Sequence, residues 1–358
     1  MQMKKSGPTF WYTYDKPLIG LSPMDGVTDQ PTRAIQKKYG NPDVLYTEFT
    51  NVEGMCHGAT RLLKDFLYDE SQRNIVAQIY GTTPEYFQQV ATVVCELGFD
   101  GVDINMGCPA KNVSNSGSGA ALIENPELAK KIILATKAGV QDYLNGKRAS
   151  DCTDISPKIA AEVAQRAKTV PGSIHERTHI PVSVKTRVGY HQPVTTEWIS
   201  FLLELEPAVI ALHGRTLKQQ YGGLASWEEI ALAASLAKHT NTLILGNGDI
   251  ATHQDALDKI ATYSVDGVLI GRGSFGDPFI FTKNTPVDAP SLVKIALEHS
   301  ELFEKTYKDD EKYTFMPMRK HLGWYVKGFE SAKEVRIKLF QANSAADVKS
   351  IFMEYNLL

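Results

Sequence analysis

Short apolar runs rich in β-branched residues recur along the chain, each followed by a polar or glycine-rich turn and then by a stretch with helical spacing. They are LIGLSPM (18–24), VLYTEF (44–49), IVAQIYG (75–81), GVDINMG (101–107), VSVKTRVG (182–189), VIALHGR (209–215), LILGNGD (243–249) and GVLIGRG (267–273). Runs this short, bounded by turn signals, read as buried strands. Between them, TPEYFQQVATVVCELG (83–98) starts near a proline and ends on a glycine, as helices prefer. PELAKKIILATKAG (126–139) and WEEIALAASLAKH (227–239) follow the same pattern. Eight strand–helix alternations predict an α/β fold, a (β/α)8 TIM barrel, whose usual size is about 250 residues. An open doubly wound sheet would want a GxGxxG fingerprint after its first strand, and LSPMDGVTD has none.

After about Asp288 the alternation stops. SLVKIALEHSELFEKTY, FMPMRKHLGWYVKGF, SAKEVRIKLFQA and SAADVKSIFMEY read as successive helices, which predicts a barrel domain over 1–288 and a small all-helical C-terminal domain over 289–358. The connection from about 138 to 180 is long for a barrel, and reads as an insertion holding a helix. It is either a tolerated surface addition or a lid or substrate contact.

Composition narrows the class. A chain of 358 residues, 43% hydrophobic and 22% charged, suits one large and one small globular domain. The first residues lack the apolar core of a signal peptide, and no window approaches the ~18–20 apolar residues of a bilayer span. Cys56, Cys95, Cys108 and Cys152 form no CxxC pair, so a reducing cytoplasm is expected. A net charge of −3 argues against a wholesale nucleic-acid coat. Locally, however, Lys312 to Lys349 holds eight Lys or Arg against three acids, with His321, Trp324 and Tyr325 interleaved. That mixture suits a phosphate backbone and stacked bases, or equally a solvated helix face over core aromatics.

In such a barrel the C-terminal strand ends face the active site. They carry Pro23, Met24, Gln78, Asn105, Cys108, Lys185, Arg187, His213, Arg215, Asn247, Asp249, Gly271 and Arg272. Parallel strands ordinarily read as unbroken apolar runs, so a lysine inside VSVKTRV and a histidine inside IALHGR need partners. GNGDI (246–250) and IGRGSFGDP (270–278) are glycine-rich turns after strands seven and eight, where barrels often bind phosphate on backbone N–H groups. Arg272 adds a fixed charge. A phosphate-bearing cofactor held there would lay its reactive part over the middle strands. Lys185 could stabilise an anion on it, and Gln78 or Asn105 could hydrogen-bond a heteroaromatic ring or simply cap their strands. A flavin mononucleotide (FMN) suits this arrangement. Cys108 on its glycine–proline turn could then protonate one substrate carbon while hydride reaches the next. A lone cysteine is otherwise a small buried hydrophobe, the reading kept for Cys56, Cys95 and Cys152. No metal-ligand set is read.

The segments SPMDGVTD (22–29), AQIYG (77–81), DINMGCPAKNV (103–113), SGSGAAL (116–122), VSVKTRVG, LHGRT (212–216), GNGDI, GRG (271–273) and MRKHLGWYVKGF (318–329) occur in this order. Over essentially its whole length the chain resembles the tRNA-dihydrouridine synthase family, bacterial type and most like its B branch. The resemblance implies an FMN enzyme that reduces the C5–C6 double bond of a uridine in tRNA, with NADPH as reductant. Hydride would pass to C6 and Cys108 would protonate C5. Pro23, Met24 and Asp25 would lie along the flavin, with Gln78, Lys185 and His213 in contact with it. Asn247, Gly248, Asp249, Gly271 and Arg272 would hold its ribityl phosphate. Asn105 and Lys111 would sit near a flipped uracil, Arg187 and Arg215 would contact RNA or cofactor, and Arg319, Lys320 and Lys327 would meet the tRNA. A cytoplasmic monomer that needs neither membrane nor metal is expected. The rivals are an FMN barrel reductase of a small pyrimidine, dihydroorotate dehydrogenase-like, which has no use for a basic helical tail, and a tRNA-binding protein that no longer catalyses.

Overall fold

The computed structural model describes residues 5–114, 116–282 and 288–358, with the side chains of Lys111 and Asn112 left out. Its strands are β1 (Leu18–Leu21), β2 (Leu45–Asn51), β3 (Ile75–Tyr80), β4 (Gly101–Met106), β5 (Val182–Arg187), β6 (Val209–His213), β7 (Leu243–Asn247) and β8 (Gly267–Ile270). All pair in parallel, in the order β1-β8-β7-β6-β5-β4-β3-β2. The sheet closes just ahead of β2, where Asp43 N–H donates to Ile19 O (2.9 Å) and Leu21 N–H to Val44 O (3.0 Å). A closed barrel leaves no exposed sheet edge.

The expected strands are right in position; all but one run too far at the C-terminal end, whereas β2 continues past the expected Phe49 to Asn51. β1 stops at Leu21 because Pro23 has no N–H for the ladder, and the last bond is Ser22 N–H to Ile270 O at 2.9 Å. Inside the barrel, Tyr46, Val76, Val209, Ala211, Leu243, Leu245 and Leu269 pack together with Trp11 from the N-terminal segment. The apolar interior thus fills the lower barrel and leaves the C-terminal mouth to polar side chains.

One boundary needs correction. The helix expected to end at Gly139 runs on as Pro126–Leu144. Gly139 is its point of closest approach to the helix Pro84–Glu96: a Cβ there would overlap the Gln88 carbonyl, and Gly139 O accepts from Thr92 Oγ1 at 3.0 Å. The glycine answers to helix packing rather than to a helix end. The inserted segment after Leu144 carries the helix Pro157–Ala167, which buries Ile159, Ala160 and Val163. Arg166 Nη1 donates to Leu63 O (2.7 Å), and Arg177 grips Asp100, Gly98 O and Phe99 O at the N-terminal side of β4. These contacts seat the segment on the barrel's flank and N-terminal rim, which is not where a lid over the mouth would lie.

From Asp288, whose carboxylate caps the next helix at Ser291 N (2.8 Å), four helices follow: Ala289–Tyr307, Met316–Tyr325, Ala332–Leu339 and Ala345–Glu354. Their apolar core includes Leu292, Phe303, Leu322, Val335 and Phe352, and takes in Ile35 from the barrel helix Gln30–Gly40. Among the described residues no helix is long and apolar enough to cross a membrane.

Candidate active site at the barrel mouth

β-strand register places Gln78, Asp103 and Ser183 side by side on β3, β4 and β5. Gln78 Nε2 donates to Asp103 Oδ2 (2.6 Å) and Ser183 Oγ to Asp103 Oδ1 (2.5 Å). Burial pushes the Asp103 carboxyl up to about 6, against the downward pull of these donors and of Lys185. Two residues further up β4, Asn105 Nδ2 donates to Gln78 Oε1 (3.1 Å) while Asn105 Oδ1 accepts from the N–H groups of Gly107 (3.1 Å) and Cys108 (2.9 Å). One amide side chain therefore ties the cysteine turn to the strand layer below, as asparagine does in a tight turn.

Cys108 itself is half-buried, whereas Cys56, Cys95 and Cys152 are buried as expected of structural thiols. Its turn rests on Gly119, whose φ of +61° and whose Cα, placed so that a Cβ would lie 3.0 Å from Cys108 O, admit only glycine. Burial raises the Cys108 thiol above its ordinary range; Asp25 adds to this, while the Ala110 N–H, Arg187 and Lys185 pull it down. The net rise keeps the sulfur protonated at neutral pH, the state a proton donor needs.

Across the mouth, Lys185 Nζ donates to Asn247 Oδ1 (3.1 Å), and Asn247 Nδ2 donates to Leu269 O (2.8 Å), which links β5, β7 and β8. Burial, reinforced by Arg187, lowers the Lys185 ammonium to about 8. His213 is held well below its ordinary range, first by burial and then by the cations Arg187, Lys185, Arg215 and Arg272. Arg215 Nη1 lies 3.4 Å from His213 Nε2. Since arginine only donates, the neutral ring accepts at Nε2 and carries its proton on Nδ1.

Arg187 and Arg215 turn inward rather than toward a macromolecule, and each is 2% exposed. Arg187 donates to Gly107 O (2.6 Å), Thr216 O (3.0 Å) and Gln220 O (3.2 Å), so it binds the cysteine turn to the loop after β6. Arg215 makes a two-oxygen bond to Asp249 (2.8 and 2.7 Å) and also reaches Gly223 O (2.7 Å) and Gly222 O (3.3 Å). The sequence places Asp249 with the phosphate-binding turn; its carboxylate is instead the partner of Arg215. Burial would raise that carboxyl, but Ala225 N–H and Arg215 hold it below its ordinary range. Gly248 (φ +131°) and Asp249 (φ +50°) give the turn after β7 its left-handed backbone.

An anionic cofactor fits the space above β7 and β8. A Cβ built on Gly271 would meet only Met24 Sδ at 3.5 Å and Ser22 Cβ at 3.8 Å, so room is left over this turn. The Arg272 side chain is 54% exposed, shares Asp249 with Arg215 at 3.4 Å, and leaves most of its donors to a ligand. Pro23 and Met24 are half-buried on one flank and Asp25 is exposed beside them. Lys185, Arg187, Arg215 and Arg272 outnumber Asp249 in charge at this rim. Among the described residues no cluster of three or more His, Cys, Asp or Glu could hold a metal ion.

The predicted RNA contacts scatter. Lys111 has its backbone in the short helix Lys111–Ser114, and its side chain lies outside the described set. Arg319 is held by Ala342 O (2.8 Å) and Asn343 Oδ1 (2.7 Å) inside the helical region, and Lys320 Nζ bonds Gly26 O of the mouth. Lys327 is exposed. Glu48 on β2 is not among the strand-end residues named from the sequence. Burial lifts its carboxyl to about 8, with Asp29 and Asp65 adding to the rise. A glutamate inside VLYTEF breaks the apolar pattern just as Lys185 does in VSVKTRV, and the same rule could have found it.

Comparisons with known proteins agree with one another. The family model described as Dihydrouridine synthase (Dus) matches residues 20–148 and 160–356, leaving 149–159, within the inserted segment, unmatched. A Probable tRNA-dihydrouridine synthase of Staphylococcus aureus (strain COL) is 33% identical over 353 residues, 97% of this chain and 95% of that protein. A Probable tRNA-dihydrouridine synthase 2 of Bacillus subtilis (strain 168) is 32% identical over 352 residues, covering 97% and 96%. Among solved structures, DHODH in complex with ferulenol from Eimeria tenella superposes with a TM-score of 0.39 at 14% identity over 62% of this chain and 56% of that one, too loose a likeness to carry an argument.

Proposed function

The chain belongs to the dihydrouridine synthase family, and on that premise we propose that it reduces the C5–C6 double bond of a uridine in tRNA, using FMN and NADPH. Residues 1–288 would form the FMN-binding catalytic domain and 289–358 a helical domain that recruits the tRNA. Bound FMN, reduced by NADPH, supplies the hydride that C6 receives.

The protein's own part is to bind, orient and protonate. A pyrimidine stacked in RNA cannot reach groups at the bottom of a barrel mouth, so the target base flips out and enters it. Cys108 delivers its thiol proton to C5, and Asn105 fixes the sulfur's height through the Cys108 N–H. Lys185, largely charged at neutral pH, would offset negative charge on a bound flavin. Gln78 is committed to Asp103 and Asn105 by two side-chain hydrogen bonds, which fix the orientation in which it would meet a bound flavin. Arg272 and the backbone over Gly271 would hold the phosphate.

The observation that supports this reading most directly is the half-buried, protonated Cys108 on a turn fixed by Asn105, with Lys185 among the charges that act on it. Cys108→Ala is the test. The variant should retain flavin and its reduction by NADPH, yet form dihydrouridine about 10²–10⁴-fold more slowly, the usual effect of losing a positioned acid. Wild-type turnover in the variant would remove Cys108 from the mechanism.

A further inference from the structure

The helix Met316–Tyr325 does more than carry basic residues. Its stretch from Lys320 to Trp324 touches both turns that flank the cofactor space, the one leaving β1 and the one leaving β8, strands that are neighbours in the barrel. On the first side, Lys320 Nζ donates to Gly26 O. Gly26 has φ +66° and sits in a turn closed by Met24 N–H to Thr28 Oγ1 (2.9 Å) and Thr28 N–H to Met24 O (2.9 Å). On the second side, Trp324 stacks on Phe275 with ring centroids 3.9 Å apart and planes 12° from parallel. The next residue, Gly276 (φ +64°), runs so close to the helix that a Cβ would strike the Trp324 carbonyl. Gln36 Nε2 holds the same turn at Ser274 O (3.2 Å).

We propose that Lys320 and Trp324 are positioning residues for the cofactor, so that filling the phosphate site and seating the helical region on the barrel form one coupled equilibrium. The inference rests on the FMN assignment above and concerns a property that assignment leaves open. The argument is mechanical. Room for a phosphate over Gly271 and Arg272 exists only while the segment from Gly271 to Gly276 keeps its course, and that course is fixed from outside by Gln36 and Trp324. Met24, on the other flank of the same space, belongs to the turn that Lys320 holds. Neither contact is needed to fold the barrel's apolar interior, which is made of other residues. What they do is set the two turns. By linkage, a ligand that favours the set arrangement also favours the docked helical region. A cofactor-free enzyme would then present its helical region less firmly to RNA than the loaded one.

Hydrogen exchange of the wild-type protein with and without saturating FMN tests this, read at peptides covering 316–325. These amides should exchange more slowly when FMN is bound, although they lie in the helical region and not in the barrel. In parallel, FMN affinity is measured by quenching of flavin fluorescence. Trp324→Ala should weaken it about 5- to 150-fold, the range of ordinary coupling energies, and Trp324→Phe should restore most of it by keeping the stack. Lys320→Met, which leaves the Trp324 stack intact, should weaken FMN in the same direction and uncouple the exchange at 316–325. Unchanged exchange on FMN binding, or wild-type FMN affinity in both Trp324→Ala and Lys320→Met, overturns the inference and leaves the cofactor assignment standing. A wild-type protein that takes up no FMN overturns both.

Discussion

His299 offers the most quantitative test of how the helical region meets the barrel. It is fully buried, with Thr32 Oγ1 of the barrel helix at 3.3 Å from Nε2 and Tyr325 OH at 3.2 Å from Nδ1. The His321 ring crosses it edge-on at 4.9 Å between centroids. Burial lowers His299 to about 3, and burial, with Lys320 and His299 close by, holds His321 well below its usual range. Both rings are therefore neutral in the folded protein and protonate freely near pH 6.5 once unfolded. The sign follows: this contribution is complete above pH 6.5 and is lost as pH falls from there toward the folded value. For His299 the loss should be about 1.4 kcal/mol of stability per pH unit, or about 2 kcal/mol by pH 5, and His321 acts with the same sign. Asp65 and Asp103, raised to about 6, and Glu48, raised to about 8, act with the opposite sign, since the folded state holds their protons more tightly. They are common to wild type and variant, so the difference between the two isolates His299. His299→Gln should be less stable at pH 7.5 by about 1–3 kcal/mol through its broken hydrogen bonds. Its urea-unfolding free energy should then fall more gently with acid, by about 1.4 kcal/mol per unit between pH 6 and 4.5. Parallel pH profiles for the two proteins would refute the reasoning.

Three further outcomes are expected. With Lys185 near 8, the free protein should lose up to about tenfold in FMN affinity from pH 7 to pH 9, a dependence that Lys185→Met abolishes in flavin titrations. Asp249→Ala removes the only carboxylate bonded to the 2%-exposed Arg215 among the described residues, and should cost about 3 kcal/mol in urea unfolding, the low end for a broken buried pair because Asp249 is partly exposed. A loss below 1 kcal/mol, on the order of a surface ion pair, would mean that the glycine carbonyls suffice. Gly139→Val, which forces two helices apart, should destabilise by about 3 kcal/mol or more, whereas Gly172→Ala, facing open space, should stay within about 0.5 kcal/mol of wild type in the same assay.

The barrel was legible because buried parallel strands are continuously apolar and each turn announces itself with glycine, proline or a polar cluster. Strand ends were less so. LIGLSPM looks uniform to periodicity, yet Pro23 ends the ladder, and Gly139 looks like a stop when it is a contact between helices. The candidate site was readable wherever a charged residue interrupts an apolar strand, as with Lys185 and His213, and the same rule applied to β2 would have added Glu48. What linear sequence could not tell is which partner each charge takes. Arg187, Arg215, Arg319 and Lys320 all look available for RNA, but in three dimensions each meets a backbone carbonyl, and for Arg215 a carboxylate as well. Some of those partners, such as Gly107 O for Arg187 and Gly26 O for Lys320, are distant in sequence and brought close only by the closure of the barrel and the docking of the helical region.

The central claim is that this chain adds two hydrogens to a uridine in tRNA. The most direct measurement is mass spectrometry of nucleosides from unmodified tRNA incubated with the purified, flavin-loaded protein and NADPH. A uridine that gains two hydrogens, in wild type and not at comparable rate in Cys108→Ala, is the predicted result. A protein that binds flavin and oxidises NADPH while every uridine keeps its mass would contradict it.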